Sequence, residues 1–344
     1  AYLIFFCSNS YPPIYRGEDS FVALKTIKLK NMSQQKINYK NSNNGLMMSA
    51  YLDLPEDFDK KQQYPAIVIT HPGGGVKEQT AGIYGRKFSE HGFVTLVTDA
   101  SYQGESGGEP RQLENPYIRT EDISSAIDYL TTLPYVDNNR IGAWGICAGG
   151  GYTVNAAIND KRIKAVGTVS AVNIGHMISK GWLGDQNMKD AIGSLEFGAS
   201  ARTQEANGSA IVQMPMAPLR EEDTPYTDLK EAWEYYHTDR AQCSTSPGYG
   251  TARSLTQLVT YDAFNMAEVF FTQPLFMVVG SVAESKWMSD DLMNRAGTNN
   301  KQMYIVEGAN HMKLYDIPQY LDEAVEQLAP FFKEHLGVAE AVEA

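Results

Sequence analysis

Hydrophobic and polar positions along the chain predict strands that alternate with helices. Two short runs, KINYK (36–40) and LMMSAYLDLP (46–55), flank the turn cluster NSNNG and predict an antiparallel hairpin. The apolar run YPAIVIT (64–70) leads into HPGGG, which predicts a buried strand followed by a tight loop. The later predicted strands are FVTLVTDA (93–100), RIGAWGI (140–146), IKAVGTVSAV (163–172), PLFMVVG (274–280) and QMYIVEG (302–308). This α/β pattern predicts a mostly parallel sheet with helices on both faces and the hairpin at its antiparallel edge.

The regular alternation stops near residue 173 and resumes near residue 273. The interval contains helix-like segments such as DLKEAWEYYHT, together with loops rich in Thr, Ser, Pro and Gly. A connection of this length without strands is too long for a plain loop, so we interpret it as an inserted helical cap. The predicted organisation is an N-terminal extension (1–35), a core (36–172 and 273–336), the inserted cap (173–272) and a tail (337–344).

Composition excludes several classes of protein. The 344 residues are 43% hydrophobic and 20% charged, and the net charge of −12 argues against nucleic-acid binding. Three cysteines that lie far apart, without a CxxC pair, indicate neither a disulfide framework nor a metal cluster. The apolar runs are much shorter than the roughly 20 residues of a membrane span, so we expect no membrane partner. We expect a cytoplasmic location; the alternative is export with a trimmed signal, of which YLIFF would be the remnant.

The segment GICAGGGY has the pattern of a nucleophile elbow. A predicted strand precedes Cys147, a predicted helix follows it, and Gly145 and Gly149 lie two residues to either side. Small neighbours allow the sharp turn, and a helix N-terminus favours both a thiolate and a developing oxyanion. The alternative is that Cys147 is a small buried core residue. We favour Cys147 as a nucleophile.

A rival serine lies in GESGG (104–108), which matches the pattern GxSxG letter for letter. The preceding strand ends several residues before Gly104, and two prolines downstream disfavour an immediate helix. We therefore expect Ser106 to line the rim of the pocket rather than to act as the nucleophile.

A thiol with an ordinary pKa of about 8.5 needs a base at neutral pH. His311 follows the last predicted strand, where a loop at the carboxyl edge of the sheet reaches the elbow. The acidic candidates that would orient its imidazole are Glu284, Asp290 and Asp291. Glu284 comes soonest after its strand, whereas both aspartates lie in a helical pattern. The alternatives are a surface-loop histidine and a solvated acid.

The oxyanion formed during acyl transfer needs two backbone donors. We expect them to be the N–H groups of Ala148, which follows the nucleophile, and of Gly73, in the HPGGG loop. The alternative is that this loop is only a flexible turn. In the cap, Trp182, Trp233 and Tyr236 are expected either to line an apolar acyl pocket or to form the core of the cap.

Four segments together carry a resemblance to a known family: GICAGGGY, HPGGGVKEQ, DASYQGESGGEPR and EGANHMKLYD. They resemble the dienelactone-hydrolase-like branch of the α/β-hydrolase superfamily, particularly its cap-bearing members. The resemblance implies an α/β-hydrolase fold with an eight-stranded sheet, a triad of Cys147, Glu284 and His311, and no metal or organic cofactor. True dienelactone hydrolases lack the long cap and carry a glutamate where this chain has Pro72, so dienelactone is not the expected substrate.

The resulting hypothesis is a hydrolase that cleaves small-molecule carboxylic esters or lactones through a thioester acyl-enzyme. An acyltransferase or a thioesterase that uses the same three residues is the nearest alternative. A non-catalytic binding protein on the same fold is the alternative from another class. The sequence leaves a homo-oligomer open.

Overall fold

The computed structural model describes residues 34–337, so nearly all of the predicted N-terminal extension and tail, with Cys7, lies outside the described residues. The strands are β1 (Gln35–Lys40), β2 (Met47–Asp53), β3 (Tyr64–Thr70), β4 (Val94–Thr98), β5 (Val136–Ile146), β6 (Ile163–Val169), β7 (Gln213–Pro215), β8 (Tyr249–Thr251), β9 (Leu275–Gly280) and β10 (Lys301–Val306). The main sheet has eight strands in the order β1-β2-β4-β3-β5-β6-β9-β10. Strand β2 runs antiparallel to β1 and β4, and the other neighbours are parallel. The predicted mostly parallel sheet with a hairpin at its antiparallel edge is confirmed.

Helices cover both faces of this sheet, as predicted. They are α1 (Thr80–Glu90), α2 (Pro116–Thr131), α3 (Ala148–Asn159), α4 (Ile174–Lys180), α5 (Ile192–Ala206), α6 (Thr227–His237), α7 (Leu255–Leu258), α8 (Ala267–Phe270), α9 (Lys286–Arg295), α10 (Lys313–Asp316) and α11 (Pro318–Leu336). Short 3₁₀ turns occupy Met188–Ala191, Glu221–Asp223 and Ala252–Ser254. Among the described residues, no helix is both long and apolar enough to cross a membrane.

Strand β3 lies between two layers of helices, which accounts for its nearly continuous apolar sequence. Val68 packs into one core cluster with helices α2 and α3, whereas Ile67 and Ile69 pack into a second cluster with α1 and α11. Because successive side chains point to opposite faces, a strand covered on both sides must be apolar at every position.

The chain leaves the sheet between β6 and β9, in the region predicted as the cap. Helices α4 to α8 lie there, and β7 and β8 pair as a short antiparallel ribbon. The prediction of a region without strands is wrong for this ribbon, because three-residue strands are too short to produce a recognisable alternation. Met216, which follows β7, packs on the loop after β3, with its methyl carbon 3.3 Å from the place where a Cβ on Gly73 would lie. The ribbon therefore covers this loop.

Strands β3, β5, β9 and β10 are mutually parallel, so their carboxyl ends meet at one edge of the sheet. The loops that follow them carry Gly73, Cys147, Glu284 and His311. Ligands of open α/β sheets bind at this edge.

Candidate active site

Cys147 occupies a strained turn between β5 and α3. Its backbone has φ 56° and ψ −130°, a conformation that a residue with a side chain rarely adopts. A Cβ on Gly145 would lie 2.2 Å from the carbonyl oxygen of Gly149, and a Cβ on Gly149 would lie 2.3 Å from that of Thr70. Both positions therefore require glycine. The turn presents a half-buried thiol at the N-terminus of α3.

Three hydrogen-bonding groups surround the sulfur of Cys147. They are the backbone N–H groups of Gly73 and Ala148 and the hydroxyl of Tyr315. Burial raises the pKa of the Cys147 thiol above its ordinary value, and these hydrogen bonds act in the opposite direction. The thiol is consequently neutral at pH 7 and needs a base. The two backbone donors are the pair that the sequence predicts for the oxyanion site.

His311 lies beside this cluster but reaches the thiol through another side chain. Its Nε2 is 3.2 Å from the hydroxyl oxygen of Tyr315, and its Nδ1 is 2.6 Å from Oγ of Ser285. The ring of Trp182 packs edge-on against the imidazole at 5.1 Å between ring centroids. Burial lowers the pKa of His311 to about 3, so the imidazole is neutral at neutral pH.

Glu284 does not occupy the position that the sequence predicts for the orienting acid. Its carboxylate accepts hydrogen bonds from the indole N–H of Trp182 (3.2 Å) and from the backbone N–H groups of Thr227 and Asp228 (both 3.0 Å). Thr227 and Asp228 open helix α6, whose free N–H groups and positive dipole end attract a carboxylate. Ser285, the next residue along the chain, contacts the imidazole instead.

Asp228 also belongs to this site, although no sequence pattern predicts it. Its carboxylate accepts hydrogen bonds from the backbone N–H groups of His311 (3.1 Å) and Glu284 (2.8 Å), and so links the loops after β9 and β10. Burial raises the pKa of Asp228 to about 6, and the nearby Glu284 carboxylate acts in the same direction. The residue comes from the segment between β6 and β9, and no local signal connects it with His311.

The loop that carries Gly73 rests on a buried polar layer. Arg119 donates a hydrogen bond to the carbonyl of His71 (2.6 Å), and its guanidinium lies 3.6 Å from the carboxylate of Glu114. Nδ1 of His71 is 2.7 Å from the carbonyl oxygen of Pro72, and Nε2 accepts the N–H of Ala100 (3.1 Å). Burial holds the pKa of His71 well below its ordinary value, and the Arg119 charge adds to this effect. His71 is therefore a neutral support for the loop.

The remaining predicted side chains differ in burial and in their contacts; they are Ser106, Tyr236 and Trp233. Ser106 is buried; its hydroxyl donates to the carbonyl of Asp99 (2.8 Å) and accepts the N–H of Ser49 (2.9 Å). The prediction that Ser106 lines the pocket does not fit these contacts, because the hydroxyl ties a loop to β2. Tyr236 is buried beside Cys147 and hydrogen-bonds to Tyr315. Trp233 is half-buried, one helical turn before Tyr236.

One group of described side chains has the spacing of metal ligands: Glu78, Asp99 and Glu105. The ammonium of Lys77 lies among these carboxylates, at 2.5 Å, 2.7 Å and 2.6 Å respectively. Lys77 is itself completely buried and pairs with all three carboxylates, and Lys36 pairs with Glu105 as well. This cluster is an ion-pair network that anchors the chain just after the HPGGG loop.

Comparisons with known proteins agree with this fold. A model of the dienelactone hydrolase family matches residues 48–171. The chain is 60% identical over 306 residues to the uncharacterized protein YcjY of Escherichia coli K12, covering 89% of this chain and 100% of that protein. It is 27% identical over 321 residues to the quorum-quenching protein AidA of Acinetobacter baumannii, covering 90% and 98% respectively. The crystal structure of the hypothetical protein PA2218 from Pseudomonas aeruginosa matches with a TM-score of 0.81 and 31% identity, over 91% of this chain and 99% of that one.

Proposed function

The chain belongs to the dienelactone hydrolase family, and from this premise we propose that it hydrolyses carboxylic esters or lactones through a thioester on Cys147. One observation carries the proposal: the thiol of Cys147 stands on a strained elbow with two convergent backbone N–H groups at its sulfur. Such an arrangement suits a nucleophile that attacks a carbonyl and a pair of donors that hold the resulting oxyanion.

The proposed reaction proceeds in two steps. His311 accepts the thiol proton, the thiolate attacks the carbonyl carbon, and the N–H groups of Gly73 and Ala148 hold the oxyanion. The C–O bond breaks, and the leaving alkoxide takes the proton back from the imidazolium. Water then attacks the thioester and gives a proton to His311; the C–S bond breaks, and the sulfur regains a proton as the acid departs.

The surrounding residues have supporting roles in this proposal. Ser285 orients the imidazole of His311 through Nδ1. Glu284 acts indirectly, by tying the start of α6 to the loop after β9. Trp182 and Tyr236 close the site from the cap side, and their rings suit the contact surface of an apolar acyl group.

A comparison of two cysteine variants tests the proposal. Cys147→Ala should abolish turnover of short 4-nitrophenyl esters. Cys243→Ala is the matched control, because Cys243 is also a half-buried free thiol but hydrogen-bonds with Thr245 in the cap. That variant should keep the activity of the unmodified protein. Ester turnover that survives Cys147→Ala would overturn the assignment of the nucleophile.

A further inference from the structure

Tyr315 lies between the thiol and the imidazole. Its hydroxyl hydrogen-bonds to the sulfur of Cys147 and lies 3.2 Å from Nε2 of His311. We propose that Tyr315 is a catalytic residue whose hydroxyl carries the proton from Cys147 to His311. This inference rests on the proposed function, since it concerns the activation of the same nucleophile.

The tautomer of His311 fits this direction of transfer. If Nδ1 carries the ring proton, it donates to Oγ of Ser285 at 2.6 Å and leaves Nε2 free to accept. The hydroxyl of Tyr315 then donates to Nε2 and accepts the S–H of Cys147. Every link has one donor and one acceptor, so the chain from thiol to Ser285 is complete.

The transfer conserves protons. The S–H bond of Cys147 breaks as a new O–H bond forms on Tyr315, while the original O–H bond breaks as an N–H bond forms on His311. The products are a thiolate, a neutral tyrosine and an imidazolium. No free phenolate is needed, which matters because burial holds the pKa of Tyr315 well above its ordinary value.

The surroundings hold the hydroxyl of Tyr315 in this position. Tyr315 is completely buried, and its carbonyl accepts the hydroxyl of Thr80 at 2.8 Å. Its ring packs edge-on against Tyr235 at 5.2 Å, and its hydroxyl also hydrogen-bonds with Tyr236. A side chain fixed in this way keeps the thiol and the imidazole linked through one oxygen atom.

Alkylation of Cys147 by iodoacetamide as a function of pH, followed by peptide mass mapping, tests the relay without any ester substrate. Tyr315→Phe retains the ring and removes the hydroxyl. We expect its alkylation midpoint to rise by about one pH unit or more, so that alkylation below both midpoints slows about tenfold. Tyr235→Phe is the control: it removes a neighbouring buried hydroxyl, which accepts the N–H of Thr80 at 3.0 Å, and should leave the midpoint unchanged.

A double variant distinguishes a relay from two independent effects. If the proton passes through Tyr315 to His311, the double variant Tyr315→Phe, His311→Ala should alkylate like the more impaired single variant. Additive effects, or an unchanged midpoint in Tyr315→Phe, would overturn the relay.

The solvent isotope effect on the unmodified protein gives a second test. Because two protons move together in the relay, a plot of the acylation-burst rate against the fraction of D₂O in the solvent should be curved. A straight line in this plot contradicts the proposal.

Failure of the relay is distinguishable from failure of the proposed function. Loss of ester turnover in Cys147→Ala concerns the nucleophile alone. The alkylation profile of Tyr315→Phe reports whether this hydroxyl is coupled to the thiol, whatever the substrate. A relay also predicts that Tyr315→Phe lowers kcat for ester turnover by about 100-fold with little change in KM.

Discussion

The contacts of Glu284 and Ser285 lead to opposite expectations for two neighbouring variants. Glu284→Gln should lower the stability of the protein and leave kcat nearly unchanged. Three N–H groups, those of Trp182, Thr227 and Asp228, donate to the Glu284 carboxylate, and two of them open helix α6. A glutamine offers one oxygen and turns an NH₂ group toward these donors, so at least one of them loses its acceptor.

The expected loss of stability in Glu284→Gln follows from these contacts. A hydrogen bond to a charged group contributes about 1.5–3 kcal/mol, and a carboxylate at a helix N-terminus adds about 0.3–1 kcal/mol. Because Glu284 is half-buried, solvent reduces both contributions, and we expect the free energy of unfolding to fall by about 1–3 kcal/mol. Ser285→Ala removes the partner of Nδ1 instead, and we expect kcat to fall about tenfold with a smaller loss of stability.

Urea unfolding and ester kinetics on the same preparations measure both effects. Asp290→Asn is the matched control, because Asp290 is another of the acidic candidates that follow β9 but pairs with Lys286 on helix α9. Asp290→Asn should change neither the free energy of unfolding nor kcat by much. A large loss of kcat in Glu284→Gln at unchanged stability would refute this reasoning and return Glu284 to the role of the orienting acid.

Three further predictions concern protonation and packing. Since burial lowers the pKa of His311 to about 3, kcat/KM for ester turnover should show no inflection near pH 6.5, and a pH profile with such an inflection would contradict a neutral buried imidazole. The pKa of Asp228 is raised to about 6 from 3.8, so its contribution to stability is present below about pH 4 and is lost as pH rises through 6. In urea unfolding, the free energy of unfolding of Asp228→Asn should therefore rise by about 2–3 kcal/mol relative to that of the unmodified protein between pH 4 and pH 7. If the difference in free energy between the two proteins does not change with pH, the raised pKa of Asp228 is contradicted. Gly145→Ala should lower stability by about 3 kcal/mol, because its Cβ would lie 2.2 Å from the carbonyl oxygen of Gly149; unfolding at the original urea concentration would contradict the elbow geometry.

The sequence predicts the strands and the sharp turn that position the site, because these elements depend on local patterns. Consecutive apolar residues mark β3 and β9 as strands covered on both faces, and the glycines around Cys147 mark the sharp turn. Parallel strands end at one edge, so the loops that carry Gly73, Cys147 and His311 come together without further information.

The contacts of the site depend on side-chain directions and on the segment between β6 and β9, which no local pattern encodes. Glu284 and Ser285 are adjacent in the chain, yet the start of α6 attracts the carboxylate and leaves the hydroxyl beside His311. Asp228 lies at the start of α6, more than 50 residues from Glu284 in sequence. Tyr315 had a usable signal, since HMKLY places it four residues after His311, a spacing that brings side chains together on a helical turn.

The most direct test of the proposed mechanism is the mass of the protein during turnover. A 4-nitrophenyl ester mixed with the protein and quenched in acid should yield a species heavier by one acyl group, with the acyl group on the peptide that contains Cys147. Neutral hydroxylamine should release it, as expected for a thioester, and Cys147→Ala should not form it. Steady ester turnover with no acyl group on Cys147, or with the acyl group on Ser106 or another residue, would contradict the assignment of Cys147 as the nucleophile.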